Sequence, residues 1–263
     1  MYESVVNFTL DTICPWYAGL QLPNILLISF GPLQDIFSEE EASKHLHIEK
    51  SSLTSVTLHR LDEALRRVRE TDASDKVTFT IKYFPYQLYP EASQEGEGKY
   101  EWYKKSKYGD SEDKMKMYVT LMTAYGVSAG INYKFHGIVA NTLPAHRVIQ
   151  HFQETKGPEV ADKLVISLYR QYFEEEKHPS SQETLLAACK EAGIDEKEAK
   201  TVVEDESEGL METKMLIREQ VSNGVDSVPV ITFEGMRRDV TITGANEVED
   251  YVKALQQIVK ESS

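Results

Sequence analysis

The hydrophobic and polar positions along the 263-residue chain alternate between strand-like and helix-like stretches. Residues 4–13 (SVVNFTLDTI) are rich in β-branched and aromatic side chains, which predicts a strand that ends just before Cys14-Pro15. Residues 58–70 place their apolar side chains at helical spacing, so a helix is predicted there. Alternation returns in residues 77–84 (VTFTIKYF), which predicts a second strand.

The second half of the chain has a helical pattern that later returns to strands. From about Lys99 to Asn223, glycines and prolines divide the helical pattern into several short predicted helices. Residues 228–235 and 239–244 then predict a β-hairpin, and Ala245 to Ile258 predict a closing helix. This order of elements is expected of an α/β sheet that carries a helical insertion.

Two positions in the helical stretch have side chains that commonly cap helix N-termini. They are the run Ser180-Ser181-Gln182-Glu183 and Asp195. Serine and aspartate oxygens accept hydrogen bonds from the free backbone N–H groups of a first helical turn. We therefore predict that one helix begins directly after each position.

The segment from Leu20 to Thr57 does not fit this pattern. It joins the apolar patch LPNILLISF to an acidic run and then to SSLTSVT. A connection of this length is uncommon inside a compact domain. Three interpretations are open: a partly helical excursion, a disordered loop, or intron-derived sequence between about Tyr17 and Thr57 in a faulty gene model.

Charge and cysteine content narrow the class of protein. With 29 Lys and Arg against 43 Asp and Glu, the net charge of −14 argues against a nucleic-acid partner. The N-terminus lacks the pattern of a secretory signal, and the apolar run Ile25 to Phe30 is too short to span a membrane. We therefore expect a cytoplasmic protein without a membrane partner. Two cysteines exclude a disulfide framework and a cysteine-rich zinc site, so no metal is expected.

Cys14 is the candidate nucleophile. A cysteine between a strand and a helix start feels the helix dipole and free N–H groups, which lower its pKa and favour the thiolate. Pro15 suits a first helical turn, and Trp16 could form an apolar wall for a substrate. The alternative from this local context is a buried structural cysteine.

Val228-Pro229 is the second candidate feature, more than two hundred residues further along the chain. Proline is unusual in a strand pattern unless it stands at the strand start or follows a cis bond. A cis Val228–Pro229 bond would leave the backbone of Val228 free to pair with an extended substrate beside the thiol. These residues are therefore predicted, with Trp16, to bind substrate.

Taken together, these features resemble the DsbA family of thioredoxin-fold proteins, in particular its FrnE-like branch. Several blocks carry the resemblance in the same order: the strand and Cys14-Pro15-Trp16, FPYQLYPEA (84–92), YGVSAGINYKF (125–135), NTLPAHRVIQ (141–150), LYRQYFEE (168–175), LLAACKEAGID (185–195), GVDSVPVITFEG (224–235) and ITGAN (242–246). The resemblance implies an α/β, thioredoxin-like fold with a large helical insertion domain.

The resemblance also implies a division of the chain. Residues 1–98 would form the N-terminal part of the thioredoxin fold, with 17–57 as an atypical insertion. Residues 99–206 would form the helical insertion domain, and 207–263 the C-terminal part with the cis-proline loop.

The family pattern makes Cys14 the attacking thiol, and this sequence departs from that pattern at Tyr17. The FrnE-like pattern continues Cys-Pro-Trp-Cys-Tyr, whereas here Tyr17 stands where the resolving cysteine is expected. Cys189 is a poor substitute because it shares a helix face with Leu185 and Leu186, which predicts burial. A single-thiol cycle with glutathione as co-substrate is chemically possible, and no tightly bound cofactor is expected.

Two further readings of function are open. The chain is also similar to kappa-class glutathione transferases and 2-hydroxychromene-2-carboxylate isomerases, which share the fold. In those families a single serine or cysteine at the corresponding position holds the glutathione thiolate. A non-catalytic binding module is the third interpretation. The expected partners of an active site are a small thiol or disulfide or a protein disulfide.

His146 and Arg147 match a family block, but packing behind a capping Asn141 or Thr142 explains them at least as well.

Overall fold

The structure is a computed structural model that describes residues 2–10, 50–71, 73 and 76–262. The strands are β1 (Tyr2–Leu10), β2 (Val77–Pro85), β3 (Glu97–Gly98), β4 (Ile138–Val139), β5 (Val230–Phe233) and β6 (Val240–Thr243). The helices are α1 (Lys50–Arg69), α2 (Lys99–Tyr108), α3 (Glu112–Ser128), α4 (Leu143–Lys156), α5 (Pro158–Phe173), α6 (Gln182–Glu191), α7 (Glu196–Glu204), α8 (Leu210–Ser222) and α9 (Val248–Glu261).

A four-stranded mixed sheet in the order β2-β1-β5-β6 organises the molecule. β1 runs parallel to β2 and antiparallel to β5, and β5 and β6 form the predicted hairpin. Val6 and Phe8 of β1 pair with Phe233 and Ile231 of β5, and all four residues are buried. Since alternate residues of a strand share one face, this apolar set forms part of the core.

Helices α1 and α9 pack against each other and bury their apolar stripes. The buried residues recur at helical spacing in both helices: Leu58, Leu61, Leu65 and Val68 in α1, and Tyr251, Leu255 and Ile258 in α9. At the rim of this contact, the Arg60 guanidinium lies 3.1 Å from the Glu247 carboxylate and donates a hydrogen bond to the carbonyl of Asn246 at 2.9 Å. The first and last helices of the described residues therefore pack against each other through their apolar faces.

Helix α1 begins eight residues earlier than the sequence pattern predicts, at Lys50 rather than at residue 58. Thr54 and Val56 are completely buried within it, as is Thr57. Position 54 continues the series 54, 58, 61, 65 and 68 that faces the core. Threonine and valine have lower helix propensity than leucine, so the sequence pattern does not predict these first eight residues of the helix. Residues 50–57 of the predicted atypical segment are therefore helical.

The chain between β2 and β5 is mainly helical, and both predicted N-caps are confirmed. The Ser181 side chain accepts a hydrogen bond from the N–H of Thr184 at 3.2 Å. The Asp195 carboxylate accepts from the N–H groups of Lys197 and Glu198 at 3.0 and 3.2 Å. The stretch from Lys99 to Asn223, predicted as several short helices, also contains the short strand β4, which pairs antiparallel with β3 just before this stretch.

Gly126 is one of the glycines expected to divide the helical stretch, but it lies inside α3 rather than at a helix end. A Cβ atom at this position would stand 2.5 Å from the carbonyl oxygen of Ile131 and equally close to the Tyr133 ring. The glycine therefore allows the returning chain to approach the helix closely without ending it.

The helical stretch is attached to the edge strand β2 of the sheet through two glutamines of α4. Gln153 accepts a hydrogen bond from the N–H of Tyr83 at 2.8 Å and donates to its carbonyl at 2.9 Å. Gln150 also donates to that carbonyl, at 3.1 Å. These side chains satisfy backbone groups that an edge strand would otherwise leave unpaired.

None of the helices in the described ranges combines the length and apolar composition needed to cross a membrane.

Candidate functional site

The site candidates converge on one edge of the main sheet. Thr9 of β1 pairs with Val230 at the start of β5 and with Phe84 at the end of β2. The N–H of Tyr86, just after β2, donates to the carbonyl of Leu10 at 2.9 Å. The last residues of β1 therefore lie between the end of β2 and the segment that enters β5.

Val228-Pro229 immediately precedes β5 at this edge. The peptide bond between the two residues is cis. Val228 is completely buried, Pro229 is also buried, and the Pro229 carbonyl accepts a hydrogen bond from the N–H of Gly244 at 2.8 Å. Ser227 donates from its hydroxyl to the Asp226 carboxylate at 2.9 Å. The structure thus places these two predicted residues in the buried segment that enters β5, beside the end of β1.

Thr9 and Gln220 form a side-chain contact at this edge that the sequence did not reveal. The Thr9 hydroxyl donates to the amide oxygen of Gln220 at 3.0 Å. Both residues are buried, with exposed fractions of 5% and 9%. The only sequence signal is a polar residue seven positions after Thr213 on the buried side of α8, a pattern shared by many helices.

The other predicted site residues, Cys14 and Trp16, lie outside the described residues, as does Tyr17. Cys14 follows Leu10, the last residue of β1, by four positions in the sequence. Their contacts therefore stay predictions.

Cys189 is buried within α6, as predicted. Its exposed fraction is 0%, and the neighbouring Leu185 is also buried. Burial raises the pKa of the Cys189 thiol to about 12, with a further contribution from the carboxylate of Glu198. Because the thiolate is the reactive form, the burial and raised pKa of Cys189 disfavour its reaction at neutral pH.

His146 and Arg147 are both buried, which supports their interpretation as packing residues. The Arg147 guanidinium donates to the carbonyls of Val202, Val203 and Glu208 at 2.7, 3.3 and 3.0 Å. It thereby satisfies carbonyls at the end of α7 and in the turn that leads into α8. Burial lowers its pKa.

Asn141 stabilises the start of α4 by a local hydrogen bond. Its amide oxygen accepts from the N–H of Leu143 at 2.9 Å, whereas the neighbouring Thr142 makes no side-chain capping bond. The sequence had not distinguished between Asn141 and Thr142 as the capping residue.

Across the described residues, no group of three or more His, Cys, Asp or Glu side chains is arranged to hold a metal ion.

The architecture is that of a thioredoxin-like α/β protein with a large helical segment between strands of the sheet. The family model described as "DSBA-like thioredoxin domain" matches residues 58–256. The chain therefore belongs to the DSBA-like thioredoxin domain family. A comparison with curated proteins found no match.

Solved structures share this fold at low sequence identity. A probable DsbA oxidoreductase from Streptomyces coelicolor is 19% identical, with a TM-score of 0.72 over 98% of this chain and 91% of that one. A 2-hydroxychromene-2-carboxylate isomerase is 13% identical, with a TM-score of 0.58 over 97% and 96%. The cytosolic disulfide reductase DsbM from Pseudomonas aeruginosa is 10% identical, with a TM-score of 0.51 over 97% and 95%. At these identities the likeness concerns the fold.

Proposed function

We propose that this protein is a thiol–disulfide oxidoreductase whose reacting group is the thiol of Cys14. One observation carries the proposal: β1, which ends four residues before Cys14, pairs at Thr9 with Val230, two residues after Val228. Membership of the DSBA-like thioredoxin domain family supports the same class of reaction. The burial of Cys189 leaves Cys14 as the candidate thiol.

The proposed cycle uses glutathione in place of a second protein cysteine. The Cys14 thiolate attacks one sulfur of a substrate disulfide, forms a mixed disulfide and releases the other sulfur as a thiolate. A glutathione thiolate then attacks the substrate sulfur of the mixed disulfide and regenerates Cys14. A second glutathione reduces that product, so one disulfide and two glutathione thiols become two substrate thiols and one oxidised glutathione. Tyr17 supplies no thiol that could compete with this route.

Trp16, Val228 and Pro229 are the proposed substrate contacts, together with a helix start at Pro15 that favours the thiolate. Val228 and Pro229 are buried in this structure. Contact with a substrate would therefore take place in a state in which their backbone is more accessible. The proposed substrate is a small disulfide or a protein disulfide, in a reducing, cytoplasmic setting.

A matched pair of alanine variants tests the proposal. Cys14→Ala should abolish glutathione-dependent reduction of insulin and of hydroxyethyl disulfide, because no reactive thiol remains. Cys189→Ala should keep most of the activity, since it removes only a buried sulfur. The catalytic intermediate should appear by mass spectrometry as one substrate-derived thiol, such as mercaptoethanol from hydroxyethyl disulfide, in disulfide linkage to Cys14. Turnover that survives Cys14→Ala would contradict the proposal.

A glutathione-dependent isomerase of the kappa type is the second candidate, favoured by the absence of a cysteine at position 17. Such an enzyme would hold glutathione as a thiolate without forming a mixed disulfide. Tight glutathione binding with no Cys14 adduct and no disulfide reduction would favour it over the oxidoreductase. A folded chain that binds no thiol and leaves Cys14 with an ordinary alkylation rate would favour a binding module.

A further inference from the structure

The strand β6 forms one edge of the main sheet, next to β5. The strand at the opposite edge, β2, meets the side chains of Gln150 and Gln153. In the described part of the chain, no strand pairs with β6 on the side that faces away from β5. An open edge of this kind is a template for pairing with another chain.

The register of the β5–β6 hairpin shows which backbone groups of β6 point outward. The N–H of Gly244 donates to the carbonyl of Pro229 at 2.8 Å, directly beyond the end of the ladder. Bonded and non-bonded pairs alternate in an antiparallel ladder, so Ile242 and Val240 direct their backbone groups toward β5. Thr241 therefore directs its N–H and C=O away from the sheet, and this residue is exposed.

The side chains of β6 leave the apolar layer of the sheet incomplete at this edge. Val240 and Ile242 pack against the core, but each is only half-buried. Met236, in the turn that precedes β6, has an exposed fraction of 57%. Thr241 and Thr243 are exposed on the other face. The edge thus combines open backbone groups with apolar side chains that lack full cover.

Charges of opposite sign lie at the two ends of β6. Arg237 and Arg238 precede the strand, and Glu247, Glu249 and Asp250 follow it at the start of α9. Arg238 and the three acidic residues also form ion pairs within the chain, whereas Arg237 forms none with the residues that the structure describes. When two such strands pair antiparallel, the cationic end of each lies beside the acidic end of the other. Parallel pairing would bring like charges together, so charge complementarity favours an antiparallel second copy.

We propose that β6 is a homodimer interface, in which it pairs antiparallel with β6 of a second copy about a twofold axis at Thr241. The outward N–H and C=O of Thr241 then bond those of Thr241 in the second copy. Val240 lies opposite Ile242 of the second copy, so each half-buried side chain gains an apolar neighbour. The Thr243 carbonyl already accepts from the Asn246 side chain at 3.2 Å and has a second lone pair for the other copy.

This interface joins two four-stranded sheets edge to edge and does not depend on the thiol reaction. Since β6 has four residues, the contact belongs to the small, weak class of interfaces, with an expected dissociation constant on the order of 100 µM. Sedimentation equilibrium of the full chain over a concentration series measures it. A reducing buffer excludes dimers that are linked by a disulfide.

Thr241→Pro tests the backbone pairing. Proline removes the outward N–H and leaves the bonds of β6 to β5 in place, because it is tolerated where the N–H of an edge strand faces solvent. The dissociation constant should rise about tenfold, as expected when hydrogen bonds at the interface are lost. Thr241→Val keeps the N–H and should stay within about twofold of the parent. Circular dichroism verifies that both variants are folded.

A charge exchange tests the antiparallel direction without changing the strand itself. Arg237→Glu should weaken the dimer about fivefold, because it places an acidic side chain beside the acidic end of the other copy. Adding Glu247→Arg should return the dissociation constant to within about twofold of the parent, since the two ends have then exchanged their charges.

Cysteine cross-linking tests the register in chains that carry Cys14→Ala and Cys189→Ala, so that the introduced cysteine is the single thiol. Oxidation should link Thr241→Cys into a disulfide dimer, because the Cα atoms of a bonded cross-strand pair lie about 5.5 Å apart, within the range of a disulfide. Thr232→Cys, opposite Thr241 on β5, is the control and should form no such dimer.

A chain that stays monomeric up to about 1 mM, tenfold above the expected dissociation constant, would overturn the proposal. A dimer that neither Thr241→Pro nor Arg237→Glu weakens would overturn it too, because the contact would then lie elsewhere. A monomeric chain whose β6 amide signals shift in NMR spectra when a synthetic extended peptide is added would assign this edge to a segment of another protein, which also contradicts the proposal.

Discussion

At the residue scale, Lys99 is a cation in an unusual place, because it is buried at the first position of α2. Its ammonium donates to the carbonyl of Tyr172 at 3.2 Å and to that of Lys134 at 3.3 Å. It also lies 3.9 Å from the centre of the Tyr172 ring. Burial lowers the pKa of Lys99 to about 7, while the carboxylate of Glu176 acts in the opposite direction.

This pKa predicts a pH dependence of stability with a definite sign. The folded chain releases the Lys99 proton near pH 7, whereas the unfolded chain holds it up to the ordinary value of 10.5. Between these values the unfolded state binds more protons, so stability rises with pH, by at most about 1.4 kcal/mol per unit for one proton. Below pH 7 Lys99 is protonated in both the folded and the unfolded chain, so the full cost of burying its ammonium group lowers the stability of the folded chain.

Lys99→Met should therefore flatten the rise in the free energy of unfolding between pH 7 and 9, measured by urea denaturation. The variant keeps the apolar stem but carries no proton. Lys134→Met is the control, because that side chain is exposed and its change should leave the profile of the parent intact. An identical slope in the parent and in Lys99→Met would show that Lys99 does not titrate in this range.

At the scale of elements, local chemistry explains which boundaries the sequence could predict. The helices after Ser181 and Asp195 begin where the capping side chains stand, because a cap is a short-range interaction. The early start of α1 depends on the burial of Thr54 and Val56 against the rest of the molecule. The pairing of β3 with β4 joins positions about forty residues apart. Neither long-range contact leaves a local pattern.

The cap at Asp195 can be tested directly. Asp195→Ala should lower the free energy of unfolding by about 1 kcal/mol, because two first-turn N–H groups of α7 lose their acceptor. Asp195→Asn retains an oxygen at the same place and should recover most of this loss. Thermal and urea denaturation measure both. Equal stability of Asp195→Ala and the parent would show that solvent replaces the cap without cost.

At the scale of the whole molecule, the sequence predicts the order of strands and helices, but it does not show how the helical segment meets the sheet. Alternation and helical spacing are visible along the chain, so β2, β5, β6 and α9 were predicted closely. The contacts that assemble these elements are polar and distant in sequence. The bond between Thr9 and Gln220 spans 211 positions, and that between Tyr83 and Gln153 spans 70. Glutamine carries no periodic signal, so both contacts were missed.

The attachment at Tyr83 yields the last prediction. Gln153 satisfies both backbone groups of Tyr83, whereas Gln150 adds a second donor to the carbonyl and accepts a long hydrogen bond from Gln153 at 3.5 Å. Gln153→Leu should therefore lower the free energy of unfolding by about 2 kcal/mol, as expected when a partly buried N–H loses its acceptor and the carbonyl loses one of its two donors. Gln150→Leu should cost well under half of this amount, because the carbonyl keeps Gln153 as its donor. Urea denaturation with an unchanged m-value measures both, and equal losses in the two variants would contradict the assignment of Gln153 as the residue that joins the helical segment to the sheet.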